Sequence, residues 1–273
     1  MTMRGLGHVL FAFSMVGIGV LNFLYVDFAL QWQPVPTGLP GREVLAYAWG
    51  SLLLIGGLGL LLKRTAAPAA FLLTVNLLIW ALLPIPQAAL APFGGGAWLG
   101  VCEDLAMTCG CWILCVSLVA RGDKLNLSFV AGDNGMRVAR FLFSASCLVF
   151  CLSHFAYADF TAGMIPAWHP GRLWLAYLTG AGQFAAGLGI LAAIVPRLAA
   201  TLEALMMSSF VLLVHVPSIV VKPAPSWAST SRAQWTMLFI IASTLAAAAW
   251  MVAWSLRGLP WGLGQKEAAT TQS

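Results

Sequence analysis

The chain carries one stretch of sequence twice. A segment reading Asn22, Phe23, Tyr25, Asp27, Phe28 and then Pro40, Gly41, Arg42 returns as His154, Phe155, Tyr157, Asp159, Phe160 and then Pro170, Gly171, Arg172. The two aspartates stand 132 positions apart and the two glycines 130, so the loops between them differ by two residues. Laid without a gap, 40–61 matches 170–191 at eleven of twenty-two positions, among them Tyr47, Gly50, Gly57 and Gly59. Self-similarity at a fixed long period means tandem structural units. Two units are expected, 1–130 and 131–273.

What the units are made of follows from their solvent. Charged residues are 8% of the chain and apolar ones 60%, against about 25% and 45–50% in soluble domains. So few charges do not cover a water-exposed surface, and lipid is the expected surroundings. Apolar stretches of about 20 residues, the length that crosses the hydrocarbon core as a helix, occur near 5–27, 43–62, 66–89, 97–120, 138–160, 172–195, 198–220 and 233–256. The fold class read from this pattern is all-α and integral to the membrane: eight transmembrane helices in two parallel-oriented four-helix bundles. No small-residue cleavage pattern of the signal-peptide kind follows the first stretch, and its counterpart lies in mid-chain, so it is expected to be retained.

Orientation is read from Lys and Arg in alternate loops. With a cytoplasmic N-terminus, Arg4, Lys63, Arg64, Arg121, Lys124, Arg137, Arg140, Arg197, Arg257 and Lys266 fall inside, and Arg42, Arg172, Lys222 and Arg232 outside. That bias predicts a multi-pass protein of the cell (inner) membrane with both termini cytoplasmic. It also accounts for the net charge of +5 without a nucleic-acid partner.

Between the units, Arg121 to Arg137 is a polar run rich in turn residues, which sets the boundary near 130. The outer loops Trp32–Pro40, Pro166–Pro170 and Pro223–Trp227 are rich in Pro and Trp, which suits the membrane interface. Pro84 and Pro86 in the third stretch, and Pro217 in the seventh, are expected to end or kink their helices. Glycines gather in the second helix of each unit, Gly50, Gly56, Gly57 and Gly59 against Gly180, Gly182, Gly187 and Gly189. Small residues allow close helix approach, so these two helices are expected to face each other or to hold equivalent central places. The tail from Gln265 to Ser273 is short and polar, and disorder is expected there.

The end of each unit's first helix (Asn22 to Phe28; His154 to Phe160), the Pro-Gly-Arg opening of the second, the run Tyr177, Gly180, Gly187, Leu188, Gly189, and Arg64 or Pro196 with Arg197 opening the third together resemble the DoxX-like family of small four-helix membrane proteins. Relatives in that family include the small subunit of thiosulfate:quinone oxidoreductases. The likeness covers nearly the whole chain as a tandem pair. It implies a redox-linked accessory subunit that binds a quinone and serves a soluble or membrane redox partner. The family commonly carries a glutamate shortly after the glycine equivalent to Gly180. This sequence departs from that pattern with Gln183, and with Leu53 in the first copy.

Ionisable residues inside membrane helices are costly and therefore functional candidates. Asp27 and Asp159 end the first helix of each unit, beside Tyr25 and Tyr157. Pairing with Arg42 and Arg172 at the interface is the structural reading of both. Glu103 and Asp104 lie within the fourth helix and point about 100° apart. At least one is expected to face the interior, with a salt bridge to Arg232 or Lys222 as the alternative. The eighth helix, with Trp235 in the place of Trp98, has no acid there. His154, His215, Tyr157, Asp159 and Glu103 are expected to line one polar pocket opening outward, with Asn22, Gln183 and the Asp–Arg pairs as further ligand-binding candidates. Glu203 is expected to pair with Arg137, Arg140 or Arg197.

Cys102, Cys109, Cys111, Cys115, Cys147 and Cys151 show no zinc spacing and no C-x-x-C motif, so no metal site is expected and packing is the preferred reading. The residues leave three functions open. One is a redox-linked subunit binding a quinone or other lipid-soluble molecule, another a transporter or lipid-binding protein, and the third a scaffold without substrate or catalysis. A homo-oligomer formed through the Gly-rich faces is compatible with each.

Overall fold

The structure is a computed structural model describing residues 3–90, 95–119, 132–220 and 228–262. Among these there is no strand, and eight helical segments are long and apolar enough to cross a membrane: Gly5–Tyr25, Arg42–Leu61, Ala66–Leu90, Gly96–Val119, Gly132–Ala156, Arg172–Leu191, Pro196–Val220 and Ser231–Ser255. The protein is an all-helical, multi-pass membrane protein. Most of the linker at 121–137 and the boundary near 130 fall outside the described residues, as do Lys222, the loop at 223–227, Lys266 and the tail.

Helix α1 (Met3–Tyr25) and α2 (Arg42–Leu61) open the first unit. Its third span breaks into α3 (Ala66–Leu82) and α4 (Ile85–Leu90) at Pro84. A proline there removes a backbone donor and displaces the preceding turn. Helix α5 (Gly95–Val119) completes the unit. In the second unit α6 (Gly132–Ala156) begins earlier than hydropathy suggests, because its first turns are polar, and it breaks before the short helix α7 (Ala158–Met164). Helix α8 (Arg172–Leu191) follows. The seventh span is α9 (Pro196–Phe210), a π-helical turn at Val211–His215 and α10 (Val216–Val220), which contains Pro217. The eighth is α11 (Ser231–Met237), a π-helical stretch at Leu238–Thr244 and α12 (Leu245–Ser255).

The repeat survives at the level of single contacts. A Cβ placed on Gly57 would stand 2.8 Å from the carbonyl oxygen of Ala12, and one on Gly187 would stand 2.8 Å from that of Ser144, 132 residues further on. Each glycine lets the second helix of its unit lie against the backbone of the first. In the same way Gly59 meets Ala69 and Gly189 meets Ala199, which fixes the offset of the third helices at 130.

The units join through their last helices. Helix α5 packs on α3, α6 and α12, while α12 packs on α1, α5 and α9. The spans containing α5 and α12 are 72% and 78% buried, against 33% for α2 and for α8. The glycine-rich helices therefore hold equivalent but peripheral places, and the expectation that they face each other or stand centrally is corrected. Their glycines serve packing within each unit. At the centre, a Cβ on Gly110 would lie 2.3 Å from the Cα of Ala248, so the α5–α12 crossing depends on small residues on both sides.

Candidate functional site

Two polar assemblies lie at the end of the molecule where α1 ends and α2 begins. In the first unit, Asp27 accepts the Phe28 backbone N–H at 2.7 Å. Its carboxylate pairs with Arg42 through one oxygen and with Arg232 at 2.7 Å through the other. Arg232 also donates to the Phe28 carbonyl at 2.7 Å, and the Asp27 N–H reaches the Asn22 carbonyl at 3.3 Å. The Arg232 guanidinium lies over the Tyr25 ring. Burial pushes the Asp27 carboxyl up, but the Phe28 N–H and then the two guanidiniums outweigh it and hold the group below its ordinary range. Asn22, Tyr25, Asp27 and Arg42 thus belong to a structural knot that ties the first unit to the eighth span. Val26, held at φ +50°, is strained for a β-branched residue, and the knot keeps it there.

The second unit is built differently at this place. Asp159 and Arg172 are both exposed, and no ion pair joins them among the described residues. Helix α7 replaces the tight turn, and beneath it lies a cavity of ≈ 460 Å³. Its exposed rim includes Gln31, Gly96, Tyr157 and Phe160, and its floor is formed by the buried Gln183, Met207, His215 and Leu245. Phe150, Phe210 and Ile241 make most of the remaining wall apolar.

The polar groups in this wall come from both units. Glu103 on α5 accepts from the Trp32 indole N–H at 2.7 Å. His154 on α6 lies 2.9 Å, through Nδ1, from the Thr179 hydroxyl and stacks on Phe210. Gln183 places its amide nitrogen 4.0 Å from the Met207 sulfur, while its Oε1 has no hydrogen-bond partner among the described residues. His215 closes the π-helical turn and is 2% exposed. Val214 and His215 from that turn and Ile241 from the other π-helical stretch all line the cavity. Such single-turn departures from the α-helix gather at functional sites because they redirect side chains.

Glu103, His154, Tyr157 and His215 therefore do share one pocket, as expected from the sequence, together with Gln183. Asp159 does not line it. Of the two alternative partners for Glu103, Arg232 is engaged by Asp27 and Lys222 lies outside the described residues; Glu103 is hydrogen-bonded by Trp32 instead. Asp104 turns the other way, into the first unit, where it borders a void of ≈ 20 Å³ with Asn76 and Trp80. Glu203 has no ion pair among the described residues. Arg140 instead donates to Ser255 at 2.8 and 2.6 Å, and Arg197 donates to the Leu259 carbonyl and stacks on Trp261. The cysteines are free thiols, and no group of three or more His, Cys, Asp or Glu able to hold a metal occurs among the described residues.

The repeat explains why only one unit is hollow. Under the offset of 130, Leu53, Leu77 and Trp80 at the small void correspond to Gln183, Met207 and Phe210 at the large one. Trp49, the counterpart of Thr179, packs edge-on against Trp80 with ring centroids 5.2 Å apart, and Phe28, the counterpart of Phe160, closes on the same ring. The first copy is plugged by aromatic side chains where the second carries smaller and more polar ones. Trp32, Thr179 and Gln31 are the site residues that reading the sequence missed. Aligning the copies residue by residue at Trp49 would have singled out Thr179.

No protein-family model, curated protein or solved structure matches this chain.

Proposed function

We propose that the second unit binds a lipid-soluble molecule with a polar, reducible headgroup, a quinone being the best fit, and that the protein acts as a DoxX-like accessory subunit to a redox partner in the cell (inner) membrane, with its termini cytoplasmic. The observation that carries this reading is the cavity of ≈ 460 Å³, whose apolar wall is interrupted by hydrogen-bonding groups that converge from two units. Ligand sites have this size and this mixture of apolar lining and few polar groups. Reduction of a quinone takes up electrons, supplied by the partner, and protons. Glu103 and His154 are groups able to exchange protons at the wall, and histidine does so near neutral pH. The Trp32 indole holds the Glu103 side chain in one orientation, while Thr179 does the same for His154. The sequence resemblance supports the same class of ligand, with Gln183 supplying an uncharged hydrogen-bonding group where the family has an acid.

The test is mass spectrometry of lipids extracted from gently purified protein. A stoichiometric quinone in the wild type, lost in Glu103→Gln and His154→Ala, is the expected result. Equal lipid content in all three overturns the reading. A second reading, transport of a lipid-soluble molecule, is favoured by the π-helical interruptions in both spans that flank the cavity, since broken helices border transporter sites. Flux by the protein alone in vesicles would single it out.

A further inference from the structure

The wall of the large cavity is one-sided in its hydrogen bonding. Glu103 receives the Trp32 indole N–H through one carboxyl oxygen. Glu103 and His154 both line the cavity and keep part of their surface. Neither the second oxygen of Glu103 nor Nε2 of His154 is among the side-chain atoms sealed off from contact. The tautomer of the imidazole follows from its neighbours. His154 Nδ1 lies 3.2 Å from the Ala176 carbonyl oxygen, which only accepts, so Nδ1 carries the hydrogen. In the neutral ring Nε2 is then an acceptor, and a carboxylate likewise only accepts. One acceptor comes from α5 of the first unit and the other from α6 of the second.

The donors of the same wall are already engaged. The Trp32 N–H is held by Glu103. The Ser153 hydroxyl donates to the Val149 carbonyl at 3.1 Å, and the Thr179 hydroxyl donates to that of Leu175 at 2.8 Å. The Gln183 amide nitrogen is turned to the Met207 sulfur, and His215 is 2% exposed. Gln31, Tyr157 and Thr161 stand apart, at the rim and on α7. Below the rim the cavity thus presents acceptors to a ligand.

A quinone meets such a wall with two carbonyl oxygens that can only accept, whereas its reduced form carries two hydroxyl donors on the same ring. We infer that the cavity selects the reduced form, a hydroquinone, over the quinone, and recognises it by hydroxyl donation to Glu103 and to Nε2 of His154. The inference rests on the quinone reading above and adds to it which redox state is held. In the reduction proposed there, two electrons come from the partner and a proton from each of the two groups goes to one ring oxygen. This leaves the same acceptor wall facing the two hydroxyls of the product. A hydroxyl donating to an ionised acceptor makes one of the stronger hydrogen bonds, and an acceptor left facing a carbonyl forfeits it.

The experiment titrates the full chain in lipid nanodiscs by isothermal calorimetry under argon, with empty nanodiscs as the blank. The probes are a decyl-substituted benzoquinone, its hydroquinone, and the dimethyl ether of that hydroquinone, which keeps the ring and lacks the donors. The hydroquinone is expected to bind about tenfold tighter than the quinone or more, the equivalent of one hydrogen bond to a charged acceptor, with the ether no tighter than the quinone. Equal or tighter binding of the quinone overturns the inference and leaves the quinone reading standing. An ether that binds as tightly as the hydroquinone also overturns it, because the donors then select nothing. Binding of none of the three overturns the inference together with the reading it rests on.

Discussion

Two guanidiniums converge on the Asp27 carboxylate, and the consequence is a pH dependence with a definite sign. Because the folded protein holds this group below its ordinary value of 3.8, its stabilising contribution is complete above that value. It disappears as pH falls through the lower value of the folded state. Thermal unfolding of the detergent-solubilised protein should therefore show a loss of stability below about pH 4 that Asp27→Asn lacks. At neutral pH the same substitution should cost about 1.5–3 kcal/mol, as for hydrogen bonds to charged groups. At Glu103 the partner is neutral. Trp32→Phe removes the 2.7 Å indole donor and leaves the carboxyl facing the cavity without it. Ligand occupancy, measured by lipid extraction, should fall while the far-UV circular dichroism stays helical. The aspartates at 27 and 159 look equivalent in the sequence, yet among the described residues only Asp27 is ion-paired. Arg232, the residue that makes the difference, comes from a span 204 residues beyond the Phe28 carbonyl it also holds, which no local pattern reveals.

Helices in this protein are positioned by what their glycines lack. Gly187→Ala would place a Cβ 2.8 Å from the Ser144 carbonyl oxygen, a backbone atom that no rotamer change moves away. Overpacking of this kind costs about 1–3 kcal/mol. Heat-induced aggregation followed by size-exclusion chromatography should show the loss, and Gly57→Ala should show the same loss because the contact repeats. The π-helical turn at Val211–His215 is a second device at this scale. A π turn is an α-helix with one residue inserted. Deleting the lipid-facing Leu212, which is 66% exposed, should restore α-helical geometry and rotate His215 away from the cavity. Ligand binding should be lost with the helical content intact. Element number, order and the break at Pro84 were legible in hydropathy and proline placement. The π turns were not, because they arise from packing against neighbouring spans, and the place of α2 and α8 at the rim was misjudged for a related reason. Glycine marks a close contact without saying whether the neighbour belongs to the same unit.

Duplication followed by divergence describes the whole molecule. One copy is plugged by Trp49, Trp80 and Phe28, and the other is hollow at the same place. The adjacent acids Glu103 and Asp104 serve opposite units, which follows from the central position of α5 between α3 and α6. Sequence alone showed the duplication and gathered four of the cavity's polar groups, since those residues share helix ends on one side of the membrane. It did not distinguish a hollow unit from a plugged one, because that depends on side-chain volumes summed across several helices. The most direct measurement is therefore a plug transplanted between copies. Thr179→Trp places the indole of Trp49 into the second unit, and the lipids carried by this variant are compared with those of the wild type by mass spectrometry. A quinone bound stoichiometrically to the wild type and absent from the folded variant is the predicted result, and a variant that carries the same lipids in the same amounts would contradict the account.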